Sequence, residues 1–413
     1  MVDWSFLLEL TKMLVEVGRK YKEKPPLNEV EPFKHYFFTT GNLKYESLDE
    51  FDGAFTRREI IARYLLLNVV LDQGPDIKGV RELLKNVTSN LYRQGIRIFH
   101  EPSEFFRNIN TVIAEILKEH ERIKKKRARE WAEENKTIPT RYNLFFAQSN
   151  RGLISIKQVL DYTIHRWGVP LSLFLLLEKD YVTSNRGQPT NPFVDYLESH
   201  DSAETMARKL KDDERYGLGS AIGDKACHLF TKLYVSTFKL VKKVRDNGWT
   251  DLSYETPFDS NAGRVLFRTG FLLECASEEN YKEWGVIQEG RGKGGKHYLR
   301  ITNIRDNKVT RIADEAELLS DYANILKTYL KIPPSSPRHI KIQHLPNLLT
   351  YRLNRLNSLE DERYSLADFD DGLIHIGTKY CLNTTTPYCK SCHLNHICKG
   401  YKERPELIED YLT

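Results

Sequence analysis

The sequence has no long hydrophobic run. Its two longest apolar stretches, residues 64–71 and 169–177, are far shorter than the roughly 20 residues that a membrane-crossing helix needs. Residues 1–21 carry acidic side chains such as Asp3 and Glu16 and have no small-residue cleavage site, so they do not fit a secretory signal peptide. These absences predict an intracellular protein that does not contact a membrane. We expect it in the cytoplasm, including the nucleoid, or in the nucleus, where the environment is reducing.

Neither sign of charge is in large excess. The 62 basic and 57 acidic residues leave a net charge of +5, which is compatible with nucleic acid and does not establish it. Basic residues collect at 124–129, 239–245 and 291–296, whereas acidic residues collect at 368–371. Such runs are as often solvated helix faces as binding surfaces. A hydrophobic content of 40% in 413 residues predicts a globular protein with one large core or two joined cores.

Cysteine is scarce, with six residues in the whole chain, yet four of them fall close together: Cys381, Cys389, Cys392 and Cys398. In a reducing compartment, four clustered thiolates are typical of metal ligands and not of disulfides. Both zinc and an iron–sulfur cluster accept four sulfurs. Structural zinc usually takes two matched C-x2-C pairs, whereas this segment has one such pair with longer arms. The spacing favours a [4Fe–4S] cluster, with zinc as the alternative occupant.

Helical periodicity dominates the rest of the chain. It predicts a nearly all-apolar helix over residues 55–72, an amphipathic helix over 76–92 and another helix after Pro102. The highly charged residues 119–135 predict an exposed helix or a linker. No internal repeat is found.

A change to alternating periodicity between residues 284 and 313 predicts a β-hairpin that turns at Asp306 and Asn307. The glycine-rich segment before it, residues 290–297, has nearly the spacing of a nucleotide-binding loop. His297 replaces the Ser or Thr that would hold magnesium, however, and no long helix follows. The better interpretation is a basic loop whose side chains touch phosphates or are merely solvated.

Two segments upstream of the cysteines are informative together. Residues 217–227 form a small-residue turn that leads into an apolar helix, so backbone N–H groups at the helix start could hold a DNA phosphate. A tight helix–helix turn would use glycine in the same way. In the second segment, residues 256–271, Asp259 stands just ahead of a predicted helix, where its ordinary role is an N-cap.

In this order, the elements resemble the helix-hairpin-helix DNA glycosylases of the endonuclease III type. The resemblance includes a hairpin with a lysine, a Pro-x-Asp ahead of a helix with Arg-Val-x-x-Arg, and the four-cysteine loop. Gln73 stands where that family inserts a glutamine into the DNA stack. The resemblance covers residues 55–118, 202–275 and 365–400, and the cysteine loop is its most specific part.

The resemblance implies a mostly α, two-lobed helix-hairpin-helix glycosylase fold with a [4Fe–4S] cluster loop and a small β-hairpin insertion. One lobe, residues 50–245, is a helical barrel that contains the hairpin and an insertion at about 119–200. The other lobe joins residues 1–49 to residues 246–413 and carries the cluster. Its insertion, at about 280–360, contains the β-hairpin.

The resemblance also implies the chemistry. Asp259 aligns with the essential aspartate of the family, and Lys225 aligns with the lysine that attacks the sugar C1′ in bifunctional members. Breaking the bond between base and sugar builds positive charge on the sugar, which a buried carboxylate stabilises. Lysine can attack only as a neutral amine, which burial beside a helix N-terminus would favour. The expected partner is double-stranded DNA, bound by a monomer that flips the target base out of the stack.

Residues in the predicted DNA interface come from four segments of the chain. They are Gln73, Gly219, Ala221, Gly223, Arg264, Arg291, Lys293 and Lys296.

Several features depart from the family pattern. Thirty-three residues separate Lys225 from Asp259, more than is usual, which weakens the lysine assignment. Ala221 replaces the first hairpin glycine, and Thr384, Thr385 and Thr386 replace basic residues that often contact phosphate. The expected function is excision of a damaged, mispaired or modified base, with or without cleavage at the abasic site.

Two other functions remain open at this point. The first is a non-catalytic iron–sulfur DNA-binding module, in which Asp259 serves only as a helix cap. The second is an iron–sulfur nuclease, which needs an Asp followed by Glu-x-Lys on paired strands, a pattern not found near a strand here. Motif spacing does not name the base, because selectivity depends on the shape of the pocket.

Overall fold

The computed structural model describes most of the chain. The described residues are 2–72, 76–139, 160, 163–184, 191–242, 249–275, 288–291, 297–300, 316–333, 339–358 and 362–409. This part is mostly helical, which confirms the predicted class. Within it, no helix combines the length and the apolar character that crossing a membrane requires.

Sixteen α-helices are named here for reference. They are α1 (Trp4–Lys20), α2 (Arg57–Leu71), α3 (Ile77–Arg93), α4 (Ser103–Arg107), α5 (Ile109–Glu134), α6 (Val169–Ser184), α7 (Pro192–Glu198), α8 (Ala203–Asp212), α9 (Asp224–Lys232), α10 (Ser260–Arg268), α11 (Phe271–Cys275), α12 (Ala316–Asn324), α13 (Leu345–Leu356), α14 (Leu366–Lys379), α15 (Lys399–Lys402) and α16 (Glu406–Glu409). A π-helical turn, Leu233–Thr237, continues α9.

The strands form two small antiparallel hairpins: β1 (Phe51–Asp52) with β2 (Phe55–Thr56), and β3 (Gln288–Arg291) with β4 (His297–Arg300). The sequence prediction put a hairpin turn farther along the chain, at Asp306 and Asn307, and strands β3 and β4 lie before that position. Residues 301–315 lie outside the described part.

A first hydrophobic cluster surrounds α2. All of α2 except Arg57 is buried, which explains why its sequence is nearly apolar around the whole helix. Side chains from α3, α5, α6, α7, α8 and α9 complete the cluster. Helix α5 runs through the charged stretch that was predicted to be an exposed helix or a linker. Its Ile123 and Trp131 are buried, so this stretch belongs to the core on one face.

A second hydrophobic cluster joins the two ends of the chain. It contains side chains of α1, α10, α11, α12, α13 and α14. Helices α1 and α14 cross closely at Gly18 and Gly372. A Cβ atom added at Gly18 would lie 1.7 Å from the Asp368 carbonyl oxygen, so only glycine fits at this crossing.

The predicted boundaries between lobes can be compared with these clusters. Nearly all buried hydrophobic residues within 50–245 belong to the first cluster, and most of those elsewhere in the described chain belong to the second. Two segments differ. Leu27, Phe33 and Leu48 pack in the first cluster, although residues 1–49 were assigned to the other lobe, and Trp249 and Tyr254 also pack there.

Candidate functional site

The predicted hairpin lies between α8 and α9. Ser202 caps the start of α8 by accepting a hydrogen bond from the Thr205 N–H. Gly219 has φ of +52°, a left-handed conformation that favours glycine, and Gly223 is the N-cap of α9. No atom lies within 4 Å of a Cβ built on either glycine, so the backbone faces open space at both positions. The turn is therefore accessible at both glycines, and its contact with a phosphate stays a prediction.

Ala221 differs from the two glycines. Its side chain is buried, and its carbonyl oxygen accepts a hydrogen bond from Arg166 at 3.1 Å. It therefore helps to hold the turn against the first cluster.

The two predicted catalytic residues meet in space. Lys225 lies in the first turn of α9, and Asp259 caps the start of α10. The Lys225 Nζ is 4.0 Å from Asp259 Oδ2 and 3.6 Å from Asp72 Oδ2. Both Lys225 and Asp259 are partly exposed, with 28% and 23% of their side chains accessible, whereas Asp72 is buried. The pair thus lies at an opening between elements of the two clusters.

The two carboxylate oxygens of Asp259 make different contacts. Oδ1 accepts hydrogen bonds from the N–H groups of Asn261 and Ala262, both at 2.8 Å, which is the N-cap role. Oδ2 points towards Lys225. Capping therefore leaves one carboxylate oxygen available to a reacting group in the opening.

The charge of Lys225 differs from the expectation that its amine would be neutral. Burial acts to lower its pKa, but the negative charges of Asp72, Asp259 and Asp370 outweigh burial and raise the pKa above its ordinary value. The amine is therefore an ammonium ion at neutral pH, and it would have to lose a proton before it could attack a sugar carbon.

A second lysine lies two turns farther along α9. Lys232 is fully buried and forms ion pairs with Asp370 and Asp371 of α14. Burial raises the pKa of Asp371 to about 6, although Lys232 opposes this shift. Burial likewise raises the pKa of Asp370. The triad of Lys232, Asp370 and Asp371 therefore joins α9 of the first cluster to α14 of the second.

The four cysteines of the C-terminal loop line one cavity. Their neighbours in the wall include Arg268, Ile376, Tyr380, Leu394, Tyr401 and Ile408. Burial raises the pKa of the Cys392 and Cys398 thiols to about 12. Ionisation of these thiols at neutral pH therefore needs a positive centre in the cavity, and a metal supplies one.

The spacing of the sulfurs bears on the size of that centre. Sulfurs bound to one zinc ion at about 2.3 Å lie roughly 3.8 Å apart in a tetrahedron. Among the described residues, the metal-ligating atoms of three side chains come within 4.8 Å of one another only at Glu204, His228 and Glu255, so no three of the cysteine sulfurs do. No three of these sulfurs are therefore placed around a single tetrahedral ion.

Two arginines connect the cysteine loop to the helix that Asp259 caps. Arg264 donates hydrogen bonds to the carbonyl oxygens of Cys381 at 2.6 Å and Gly377 at 2.9 Å. Arg268 donates to the carbonyl oxygens of Leu382 at 2.7 Å and Thr384 at 2.9 Å. Both side chains are buried, so this structural role replaces the predicted contact of Arg264 with DNA.

The cysteine loop also meets the end of α5. Lys136 donates a hydrogen bond to the Thr386 carbonyl oxygen at 2.7 Å, and its Nζ lies 3.5 Å from the centre of the Tyr388 ring. The insertion at about 119–200 therefore brings a positive charge to the loop in which threonines replace the expected basic residues.

The remaining predicted DNA contacts have less structural support. Gln73, Lys293 and Lys296 lie outside the described residues. Arg291 ends β3 and pairs with His297 across the hairpin.

Sequence reasoning missed three members of the site: Asp72, Lys232 and Asp370. One signal was present, since Asp370 and Asp371 interrupt an otherwise apolar helix. Acidic residues on such a helix indicate a buried partner more strongly than a solvated face.

Comparison with protein-family models, with curated proteins and with solved structures found no match for this chain. The geometry of the site therefore carries the functional argument alone.

Proposed function

We propose that the chain is a DNA glycosylase of the helix-hairpin-helix type that removes a damaged, mispaired or modified base from double-stranded DNA inside the cell. The observation that carries this proposal is the pairing of Lys225 with Asp259. Thirty-three residues separate them in the sequence, yet their side chains lie 4.0 Å apart at the N-termini of two helices. The resemblance to glycosylases requires that meeting, and the length of the insertion argued against it.

The proposed chemistry uses the free oxygen of Asp259. As the bond between C1′ and the base nitrogen breaks, the electron pair leaves with the base and positive charge grows on the sugar. Asp259 Oδ2 stabilises this charge. It also accepts a proton from the water whose oxygen bonds to C1′. Because Lys225 is an ammonium ion, we expect water and not the lysine to complete the reaction.

The same geometry supports DNA binding. Lys225 lies in the first turn of α9 and Asp259 caps α10, so both helix N-termini lie beside this pair, and helix N-termini favour phosphate groups. Gly219 and Gly223 leave the backbone of the turn accessible to a DNA strand. The proposed role of Gln73, filling the space that the flipped base leaves, rests on the resemblance alone.

The cysteine cavity fits the proposed [4Fe–4S] cluster. Cys381, Cys389, Cys392 and Cys398 would hold it, and the bound cluster supplies a fixed anchor for the loop. Arg264 and Arg268 connect the loop to α10, so a bound cluster would help these two arginines to hold Asp259 in place and would take no part in base release. We expect the purified protein to be brown and to contain about four iron atoms per chain. Tetrahedral zinc with a colourless protein would contradict this assignment.

The decisive experiment compares base release by the wild type and Asp259→Asn. Duplexes carrying uracil, thymine glycol, 8-oxoguanine, mismatches or modified cytosines are incubated with protein and then scored with and without alkali. Asparagine caps helices as well as aspartate does, so the substitution removes the charge and keeps the cap. We expect release to fall roughly 10²–10⁴-fold, with DNA affinity nearly unchanged.

A matched control is Asp3→Asn. Asp3 is also a helix N-cap and accepts a hydrogen bond from the Phe6 N–H at 3.0 Å, but it lies at the start of α1. This control should keep full activity. Unchanged base release by Asp259→Asn would overturn the proposal.

A non-catalytic DNA-binding module is the second candidate, and the N-cap bonds of Asp259 favour it. It predicts tight binding to a damaged or unusual DNA structure, with no base release from any duplex and equal behaviour of wild type and Asp259→Asn. A monomer is expected under both candidates.

A further inference from the structure

A second group of charged side chains lies buried behind the catalytic pair. Glu204 of α8, His228 of α9 and Glu255, just before α10, place their ligand atoms within 4.8 Å of one another. The His228 Nε2 is 2.9 Å from Glu204 Oε2 and 3.6 Å from Glu255 Oε2. Ligands around one tetrahedral zinc ion at 2.0–2.1 Å lie about 3.4 Å apart, which is close to the second separation, whereas the first is a hydrogen-bond distance.

The orientation of His228 leaves its Nε2 directed at the two carboxylates. Its Nδ1 lies 2.8 Å from the Asp224 carbonyl oxygen, which can only accept, so Nδ1 carries a proton. This is the arrangement by which a backbone carbonyl fixes a histidine that binds a metal through its other nitrogen. Nε2 therefore presents either a lone pair to a cation or a second proton to Glu204.

His344 supplies an independent observation. Its side chain is 1% exposed, and its Nε2 has no hydrogen-bond partner although it lies 3.8 Å from Glu255 Oε1. Its Nδ1 is held by the Tyr322 hydroxyl at 3.1 Å. A buried, unpartnered imidazole nitrogen aimed at a carboxylate pair costs free energy unless something binds it.

Arg208 holds the outer oxygens of the same carboxylates. Its Nε donates to Glu204 Oε1 at 2.7 Å, and its Nη2 donates to Glu255 Oε1 at 3.2 Å. Its side chain is 45% exposed and reaches the group from the solvent side. The oxygens nearest His228 are the other two, Glu204 Oε2 and Glu255 Oε2.

We propose that Glu204, His228, Glu255 and His344 form a structural site for a divalent transition-metal ion of the zinc type, separate from the cysteine loop. Such an ion would join α8 and α9 of the first cluster to Glu255 and His344, which flank elements of the second. His228 follows Lys225 by one helical turn, and Glu255 precedes Asp259 by four residues. The site would thereby fix the distance between the two predicted catalytic residues.

The test uses the full-length protein and zinc itself. Zinc per chain is measured after gel filtration for wild type, His228→Gln and His344→Gln. The matched control is His100→Gln, another buried histidine, which faces the single carboxylate of Asp52 at 3.3 Å. We expect wild type and His100→Gln to retain one more zinc ion per chain than His228→Gln, and His344→Gln to bind zinc about tenfold more weakly or worse.

X-ray absorption at the zinc edge separates this site from the cysteines. The zinc that His228→Gln loses should have nitrogen and oxygen neighbours at about 2.0–2.1 Å, not sulfur at about 2.3 Å. If His228→Gln does not fold, His344→Gln decides the question alone. Equal zinc content in wild type and the folded variants, or sulfur neighbours only, would overturn the proposal and leave an ion-pair network around a protonated His228. The proposed base release does not depend on either result.

Discussion

Two lysines on one face of α9 differ in their exposure and in the distances to their partners. The difference distinguishes a structural ion pair from one that could take part in a reaction. Lys225 and Lys232 lie seven residues apart on α9 and its continuation, and each contacts two aspartates. Lys225 is 28% exposed and lies 3.6 and 4.0 Å from its partners, whereas Lys232 is 1% exposed and lies in direct hydrogen-bond contact with both of its partners.

The contrast shows that an Asp–Lys–Asp arrangement is not itself a functional signature. Around Lys232, the ammonium group and both carboxylates are buried and hydrogen-bonded to one another, so no reacting group can enter. Around Lys225, long separations and an opening leave Asp259 Oδ2 accessible. Both groups contain a lysine and two aspartates, so residue type does not distinguish them. The partly exposed pair with longer separations is the one where a reaction could occur.

The largest effect is expected from Lys232→Ala. This substitution leaves two buried aspartates without their counter-charge, which should lower the free energy of unfolding by about 3–5 kcal/mol. Urea unfolding measures the loss. Lys211→Ala is the control, because Lys211 pairs with Asp224 at a more exposed position and should cost less than about 1 kcal/mol. A loss below about 1 kcal/mol for Lys232→Ala would mean that the sealed triad is not structural.

A smaller effect, on activity and not on folding, is expected from Lys225→Gln. The neutral amide removes the positive charge 4.0 Å from Asp259 Oδ2 that helps to orient this carboxylate, so base release should slow roughly 10–100-fold. The unfolding free energy should change little, because the pair is partly exposed. Single-turnover rates and urea unfolding measured on the same preparation check both parts. A variant that unfolds like Lys232→Ala would remove the distinction between the two lysines.

The pH dependence of stability should reveal the sealed triad. Asp371 has a pKa of about 6 in the folded protein, above its ordinary 3.8, so the folded state binds its proton more tightly than the unfolded state. Its contribution to stability is therefore present at low pH and is lost as the pH rises from about 4 to about 6, on the order of 1–3 kcal/mol. Asp371→Asn should flatten this part of the stability curve, and Asp3→Asn, at the exposed start of α1, should not. An unchanged slope in Asp371→Asn would contradict the assignment.

The subtlest prediction concerns Asp72→Asn. Asp72 is one of the aspartates that raise the pKa of Lys225, so the substitution should lower that pKa and increase the fraction of neutral amine. Borohydride trapping of the protein on abasic DNA should then become stronger than in wild type, most clearly at alkaline pH. Lys225→Gln in the same assay shows whether the trapped amine is that of Lys225. Trapping that is already maximal in wild type would mean that the lysine attacks as a neutral amine after all.

The sequence predicted local features well where a short pattern suffices. The apolar run of α2, the small-residue turn before α9 and the capping position of Asp259 each depend on a few neighbouring residues, and the structure has all three. The predicted hairpin turn at Asp306 and Asn307 lies outside the described residues and stays a prediction.

Long-range pairing could not be predicted in the same way. Asp370 and Asp371 follow Lys232 by more than 130 residues, so nothing local indicates that they share a buried site. Arg264 was assigned to DNA because an arginine in that motif suits a phosphate equally well. Its burial against the cysteine loop follows from packing between distant segments.

The sequence by itself determined the helical class and the closeness of four cysteines along the chain, and it suggested Lys225 and Asp259 as the residues that would act on a sugar. Only the tertiary structure decided that Lys225 and Asp259 meet across their long separation, that Lys225 is an ammonium ion and that Lys232 is sealed. The physical reason is that secondary structure and metal-ligand spacing depend on neighbours along the chain. Charge states and exposure depend instead on which distant carboxylates the folded chain brings within a few ångströms.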